Sequence, residues 1–415
     1  MKLLPSVEFT VDHKDALYRC GETAVFTIRV LGADRAPLTG GTIDVRLDNY
    51  GPKAVTAARF DLAAGNPVTV CGTLAEPGFM RCTVTMAADN GLRAVYSAGF
   101  EPGRITAGSA RPADFDAFWD AAAGKLDNEV PLDPRIERID AMCNVDHECF
   151  RVSFATFDGL RVWGFLSVPK KGTGPYPAEV NVPGAGPGVD GPDPGLADRG
   201  IISLVMNVHP FEPGPDAAGQ KKKYEDQDRA LQAQYGVPRY CQSGAAERET
   251  YFYYRIILGI NRAVNWLARR SDVDTSRFHY SGTSQGGGFG LILCGLNTNF
   301  TKGVMHVPAI TDLLGFQAGR ESGWPKLIEN IRPGDKEAAV KVAPYFDGAH
   351  FAARITCPVR LSVGFIDESC PPAAVYAGYN AIAAADKAIL NGIGMPHQVF
   401  PQFYDQNDNK WLRGF

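Results

Sequence analysis

The period of the hydrophobic pattern changes once along this 415-residue chain, and that change constrains the fold more than any other feature. Up to about residue 103 the period is the two of a β-strand. In "FTIRV", Phe26, Ile28 and Val30 face one way and Thr27 and Arg29 the other, and "CTVTM" repeats the alternation with Cys82, Val84 and Met86. The turn-rich stretches "LGADRAPLTGG", "DNYGPK" and "AADNG" break these runs, and no helical spacing intervenes. The pattern predicts an immunoglobulin-like, antiparallel β-sandwich over residues 1–103, with no catalytic constellation of its own.

The period then lengthens. "EPGRITAGSARP" reads as a linker, and "PADFDAFWDAAAGKL" places Phe115, Phe118, Trp119 and Ala122 on one helical face, so 104–147 form a linker and helical segment. From 148 to 415 strand-like and helical runs alternate. "CFRVSFAT", "LRVWGFLSV", "AEVNVPG" and "IISLVMNV" precede a helix from about 250 to 270; "RFHYSG", "GVMHVP", "VRLSVGFID" and "KAILNGI" follow with helices between them. Runs such as "IISLVMNV" are apolar on both faces, as parallel strands covered by helices must be. The fold class is therefore α/β, a doubly wound, mostly parallel sheet behind a smaller sandwich. "KKK" at 221–223 reads as a solvated loop.

Totals exclude several functions. A formal net charge of −4 leaves no electrostatic footprint for nucleic acid, and no apolar stretch reaches the roughly 18 residues of a membrane helix. The start "MKLLPSVEF" meets a proline after two leucines, short of a secretory hydrophobic region of about 7–15 residues. The expectation is a cytoplasmic protein, or a periplasmic one if a leader has been removed. Nine cysteines without a C-x-x-C pair exclude the common zinc and thioredoxin spacings. Cys143 and Cys149 flank a turn and are either a bridge or two reduced thiols.

The chemistry concentrates in "YSGTSQGGGFG", 280–290. A dinucleotide fingerprint starting at Gly286 or Gly288 needs glycine at 291 or 293, where leucine stands, and a phosphate loop needs a lysine that is missing. What fits is G-x-S-x-G, Gly282 to Gly286, between a strand and a helix, the setting of a nucleophile elbow. The α/β-hydrolases continue in the order serine, acid, histidine. Asp367 ends the strand "VRLSVGFID", with Glu368 as its rival, and His397 is the one histidine beyond it. An oxyanion hole needs two backbone N–H donors: Gln285 supplies one by position, and "NVPGAGPG" the other, from Ala185 or alternatively Gly184. No metal or organic cofactor is required.

These residues resemble the acetyl xylan esterases and cephalosporin-C deacetylases of carbohydrate esterase family seven. The likeness spans roughly 112–400 and rests on "PADFDAFWD", "TSQGGG", "YFYYRIILGINRAV", "YFDGAHFAARI", "VGFIDESCPP" and "VYAGYN". It implies an α/β-hydrolase fold with Ser284 as nucleophile, Asp367 as orienting acid, His397 as base, and Gln285 and Ala185 as oxyanion donors. "PGAG" stands where the family usually has histidine, glycine and tyrosine, His209 stands in place of an arginine, and the amino-terminal sandwich is additional. The implied function is removal of O-acetyl groups from carbohydrates through an acetyl-enzyme. The implied partner is an acetylated oligosaccharide, and a homo-oligomer, typical of the family, is left open. His209 is a candidate substrate contact, as are Tyr240 and Trp324, which with Tyr235 would stack on sugar rings. A general carboxylesterase or peptidase-like hydrolase, and a non-catalytic carbohydrate-binding or scaffold protein, are the alternatives.

Overall fold

A side chain alternating across a pleat sorts itself between core and water, and the first hundred residues do so. The computed structural model describes residues 5–86 and 92–415, so the "AADNG" break and the first four residues lie outside the described residues. Eight strands come first: β1 (Ser6–Val11), β2 (Leu17–Tyr18), β3 (Ala24–Leu31), β4 (Thr42–Asp48), β5 (Ala54–Asp61), β6 (Val68–Gly72), β7 (Gly78–Met86) and β8 (Leu92–Phe100). They form one sheet in the order β1-β3-β6 and another in the order β2-β8-β7-β4-β5. The two enclose an apolar cluster containing Phe26, Ile28, Val30, Cys82, Val84 and Met86, the residues the alternation points inward. One pairing departs from the antiparallel expectation: β2 runs parallel to β8, Leu17 beside Gly99.

A helix, α1 (Phe115–Glu129), follows with Phe115, Trp119, Ala122 and Leu126 buried. The rest of the chain builds a nine-stranded sheet from β9 (Arg135–Arg138), β10 (His147–Ala155), β11 (Arg161–Pro169), β12 (Tyr176–Val182), β13 (Ile202–Met206), β14 (Val273–Thr283), β15 (Lys302–His306), β16 (Val359–Gly364) and β17 (Lys387–Gly392). Its helices are α2 (Ala217–Tyr235), α3 (Phe252–Ala268), α4 (Gln285–Leu296), α5 (Lys336–Val342), α6 (Gly348–Ala352), α7 (Pro372–Ala381) and α8 (Pro401–Tyr404). The strand order is β17-β16-β15-β14-β12-β13-β11-β10-β9. The five pairings joining β13, β12, β14, β15, β16 and β17 are parallel, and the β11, β10 and β9 edge is antiparallel. All five residues of β13 are buried, as its two-sided apolar run requires.

Two segments differ from the sequence reading. Lys221–Lys223 lie on α2 and not in a loop, and the sheet begins at β9, within the stretch read as linker and helix. The order reverses at β12, which β13 flanks on one side and β14 on the other. In an open α/β sheet the crevice beyond the carboxyl ends of strands at such a reversal is where ligands bind.

Candidate active site

Ser284 sits at that crevice, between β14 and α4, with φ 60° and ψ −120°. A non-glycine residue held at positive φ is strained, and the surroundings fix it: the Ser284 N–H donates to the His306 carbonyl (2.9 Å), and its carbonyl accepts from Ala309 and Gly288. The flanking glycines are dictated by space. A Cβ on Gly286 would lie 2.0 Å from the Val182 carbonyl oxygen, and one on Gly282 would lie 2.6 Å from the Gly286 backbone. Only glycine lets α4 start this close to β12.

The loop after β17 brings His397 over the serine. Its Nε2 is 2.9 Å from Ser284 Oγ, and its Nδ1 is 2.7 Å from Asp367 Oδ2. Asp367 is fully buried, and its other oxygen accepts the N–H groups of Ser369 and Cys370, both at 2.8 Å. A carboxylate beside Nδ1 favours the tautomer whose Nδ1–H points to it, the one in which Nε2 can accept a hydrogen bond from the serine hydroxyl. Glu368, the rival acid, points away and pairs with Arg81 and Arg93. Asp367, Cys370 and His397 also bring three metal-type ligand atoms within 4.8 Å of one another. Two of them are committed to the serine relay, and burial pushes the Cys370 thiol well above its usual range, which opposes the thiolate a metal needs.

Gln285 opens α4, so its N–H has no partner within the helix. Its buried side chain receives two hydroxyl groups, from Tyr240 (2.7 Å) and Tyr253 (2.8 Å), and its amide reaches the Gly184 carbonyl at 3.4 Å. The 183–188 loop thereby lies against the elbow, with the Gly184 Cβ position 3.9 Å from Ser284 Cβ. Ala185 is exposed beside it.

Two expected substrate contacts are corrected by burial. His209 is wholly enclosed. Its Nε2–H donates to the Gly186 carbonyl at 2.7 Å while Nδ1 accepts from Gln227 at 2.9 Å, and burial pushes its pKa down to about 4. Tyr240 is likewise enclosed, its hydroxyl spent on Gln285. Both support the loop and the elbow from beneath, where sugar cannot reach. Trp324 is half-buried, its carbonyl accepting from Ile310, one residue beyond the Ala309 contact to Ser284. Tyr235 lines a separate cavity of about 310 Å³ with Phe252 and Leu231. Cys143 and Cys149 are free thiols, with the Cys149 N–H donating to Cys143 Sγ at 3.3 Å.

The sequence reading missed Tyr404. It stands on α8 with its hydroxyl 3.2 Å from Thr283 Oγ1, beside the serine, and is 40% exposed.

The crevice at the reversal point of this mostly parallel α/β sheet holds a serine, a histidine and a buried carboxylate in contact, and the family the chain matches is one of carboxylic ester hydrolases. The chain belongs to the acetyl xylan esterase family (AXE1), whose model matches residues 104–415, three quarters of its length. It is 28% identical over 391 residues to acetyl esterase Axe7A of Xylanibacter ruminicola, covering 92% of this chain and 84% of that protein. Among solved structures it is similar to an acetyl xylan esterase from a Paenibacillus species, with a TM-score of 0.63 at 23% identity, covering 76% of this chain and 98% of that one. An acetyl xylan esterase from a Thermoanaerobacterium species gives 0.61 at 21% identity with the same coverage, and at these identities the two speak to the fold.

Proposed function

We propose that the chain is a serine esterase that removes O-acetyl groups from carbohydrates by way of an acetyl-enzyme, with Ser284, His397 and Asp367 as its triad. The relay of 2.9 and 2.7 Å contacts from serine to histidine to buried carboxylate carries this reading, and membership of the acetyl xylan esterase family supports the acyl group. Ser284 Oγ attacks the acetyl carbonyl while His397 Nε2 takes its proton, and Asp367 stabilises the imidazolium that results. The backbone N–H groups of Gln285 and Ala185 receive the oxyanion, each worth on the order of a hundredfold in rate. As the carbon–oxygen bond to the sugar breaks, His397 gives its proton to the leaving sugar oxygen, which departs as the hydroxyl. Water, deprotonated by the same Nε2, attacks the acetyl-serine, and acetate leaves.

The partner is an acetylated oligosaccharide, with Trp324 as a sugar-facing wall. The division into an immunoglobulin-like 1–103, a linking 104–147 and a catalytic 148–415 is part of the same reading, and so is a homo-oligomer, which sedimentation velocity tests. Acetate release from acetylated xylo-oligosaccharides and p-nitrophenyl acetate, with Ser284→Ala and His397→Ala beside the parent, tests the chemistry. Loss of release in both variants is the expected result. Undiminished turnover by Ser284→Ala overturns it, and faster hydrolysis of butyrate than acetate esters would make the enzyme a general carboxylesterase instead.

A further inference from the structure

Asp367 stands on a short loop, and the residues on both sides of it are held by the amino-terminal sheet. Two residues before it, the Phe365 carbonyl accepts the Tyr50 hydroxyl at 2.7 Å, and the Phe365 ring meets Phe79 edge-on with centroids 4.9 Å apart. One residue after it, the Glu368 carboxylate receives Arg93 through both oxygens, at 2.7 and 2.5 Å, and Arg81 at 3.2 Å. Arg81 is itself immobilised: it makes two bonds to the buried Asp48, lies 4.6 Å over the Tyr50 ring, and has Glu321 at 3.7 Å. The anchors come from β7, β8 and the turn after β4, all in the five-stranded sheet. The same turn also grips the segment before Trp324, since the Glu321 N–H donates to the Tyr50 carbonyl at 2.6 Å.

We propose that the amino-terminal sheet positions the catalytic acid: Tyr50, Arg81 and Arg93 fix the loop around Asp367 and draw the neighbouring Glu368 carboxylate away from His397. The inference rests on Asp367 being the acid of the triad. From the sheet side the loop is held by the Phe365 N–H to the Gly392 carbonyl at 3.0 Å, the Ile366 N–H to the Met395 carbonyl at 3.2 Å and the Asp367 contact to His397, and its outer side faces the amino-terminal unit. The amino-terminal unit supplies that outer side with one neutral hydrogen bond, one aromatic contact and a bidentate ion pair, the kind with the strictest geometry. Without the arginines, Glu368 would be a second carboxylate next to the first, free to compete for the imidazole. The similarity to the named acetyl esterase covers 92% of the chain, more than residues 104–415 contain, so part of this unit is shared with an esterase.

Tyr50, Arg81 and Arg93 are positioning residues, and their effect should appear in turnover before binding. The test is kinetic, on the full chain, with p-nitrophenyl acetate and with thermal unfolding measured alongside. The variants are Tyr50→Phe, which changes no charge, Arg93→Ala and Arg93→Lys. Tyr50→Phe and Arg93→Ala are expected to lower kcat about three- to tenfold with KM within about twofold, since a small misplacement of a catalytic group is costly. Arg93→Lys should recover much of the loss. In Tyr50→Phe the acidic limb of kcat/KM should move to lower pH, because a less well set Asp367 stabilises the His397 imidazolium less. If Tyr50→Phe and Arg93→Ala keep the parent's kcat and acidic limb, whatever happens to their unfolding temperature, the sheet is only a buttress and the inference fails. Should Arg93→Ala not fold, Tyr50→Phe decides alone. Asp367→Asn and Ser284→Ala separate the two readings: parental activity in these overturns the triad itself, whereas their inactivity beside normal Tyr50 and Arg93 variants overturns only the positioning.

Discussion

Gln285 does two jobs at one position, and its side chain is the less obvious. Its N–H opens α4 with no partner inside the helix, while Oε1 accepts two buried tyrosine hydroxyls from different elements. Gln285→Leu keeps the N–H but strands both hydroxyls, each at a cost of about 1–3 kcal/mol, so the variant should unfold several kcal/mol more easily in urea. Tyr253→Phe removes one hydroxyl and leaves Gln285 Oε1 still bonded to Tyr240, and should cost about 1 kcal/mol. Equal stability of Gln285→Leu and parent would show that the hydroxyls find other partners. At the elbow, Gly286→Ala should abolish soluble protein, because the Val182 carbonyl 2.0 Å from the new methyl is backbone and cannot turn aside. The meeting of Ser284, His397 and Asp367 at the glycine-flanked turn was legible because each is a residue type at a stated place in a fixed order. The roles of His209 and Tyr240 were not, because whether an aromatic faces sugar or the underside of a loop depends on partners such as Gly186 and Gln285, which tertiary folding alone brings near.

An element apolar on two faces, such as β13, was legible by run length, and elements that meet water were not. The α2 helix carries Lys221–Lys223 and buries only Gln220, so no apolar stripe announced it. Its ends did: Asp216 caps the Gly219 N–H at 2.7 Å, and Gly236 closes it at φ 65°. Three charged residues out of four made β9 invisible as a strand, since Ile136 is exposed with the other three and alternation had nothing to sort. The α8 helix is the missed element with a functional consequence, for it sets Tyr404 at the rim beside Thr283 with a large part of its ring in solvent. A partly exposed aromatic ring is the kind of face on which a sugar stacks. Tyr404→Ala should therefore raise KM for acetylated xylo-oligosaccharides several-fold and leave p-nitrophenyl acetate hydrolysis within about twofold. A proportional loss on both substrates would instead assign Tyr404 to support of the elbow.

At the scale of the whole molecule, the change of period near residue 103 says nothing of how the amino-terminal sheet docks, and Ala16, Tyr50 and Phe79 join the core of the larger sheet. The contact rests on Tyr50, Arg81 and Arg93, outward residues of a sheet that reads as ordinary polar surface until Phe365 and Glu368 are folded against them. The molecule also carries charge-dependent stability spread over distant sites. Burial pushes His209, His279 and His350 down to about 4, the last two aided by Lys302 and by Arg111 respectively, and it raises Asp347 to about 6. The histidines are neutral when folded and charge on unfolding below their ordinary value near 6.5, so the stability they contribute is lost as pH falls from about 6.5 to 4. Asp347 has the opposite sign: it holds a proton when folded and releases it on unfolding, so its contribution is present at low pH and is lost as pH rises through about 6. Near pH 5.5, unfolding therefore takes up three protons and gives back one. At about 1.4 kcal/mol per proton per pH unit, these four groups make the protein less stable at pH 5 than at pH 6 by about 2–3 kcal/mol. Urea unfolding at the two pH values measures the difference. His209→Gln, whose amide can serve both the Gly186 carbonyl and Gln227, should reduce the difference by about one proton's worth, or roughly half, whereas an unchanged slope would mean that His209 is already charged in the folded protein.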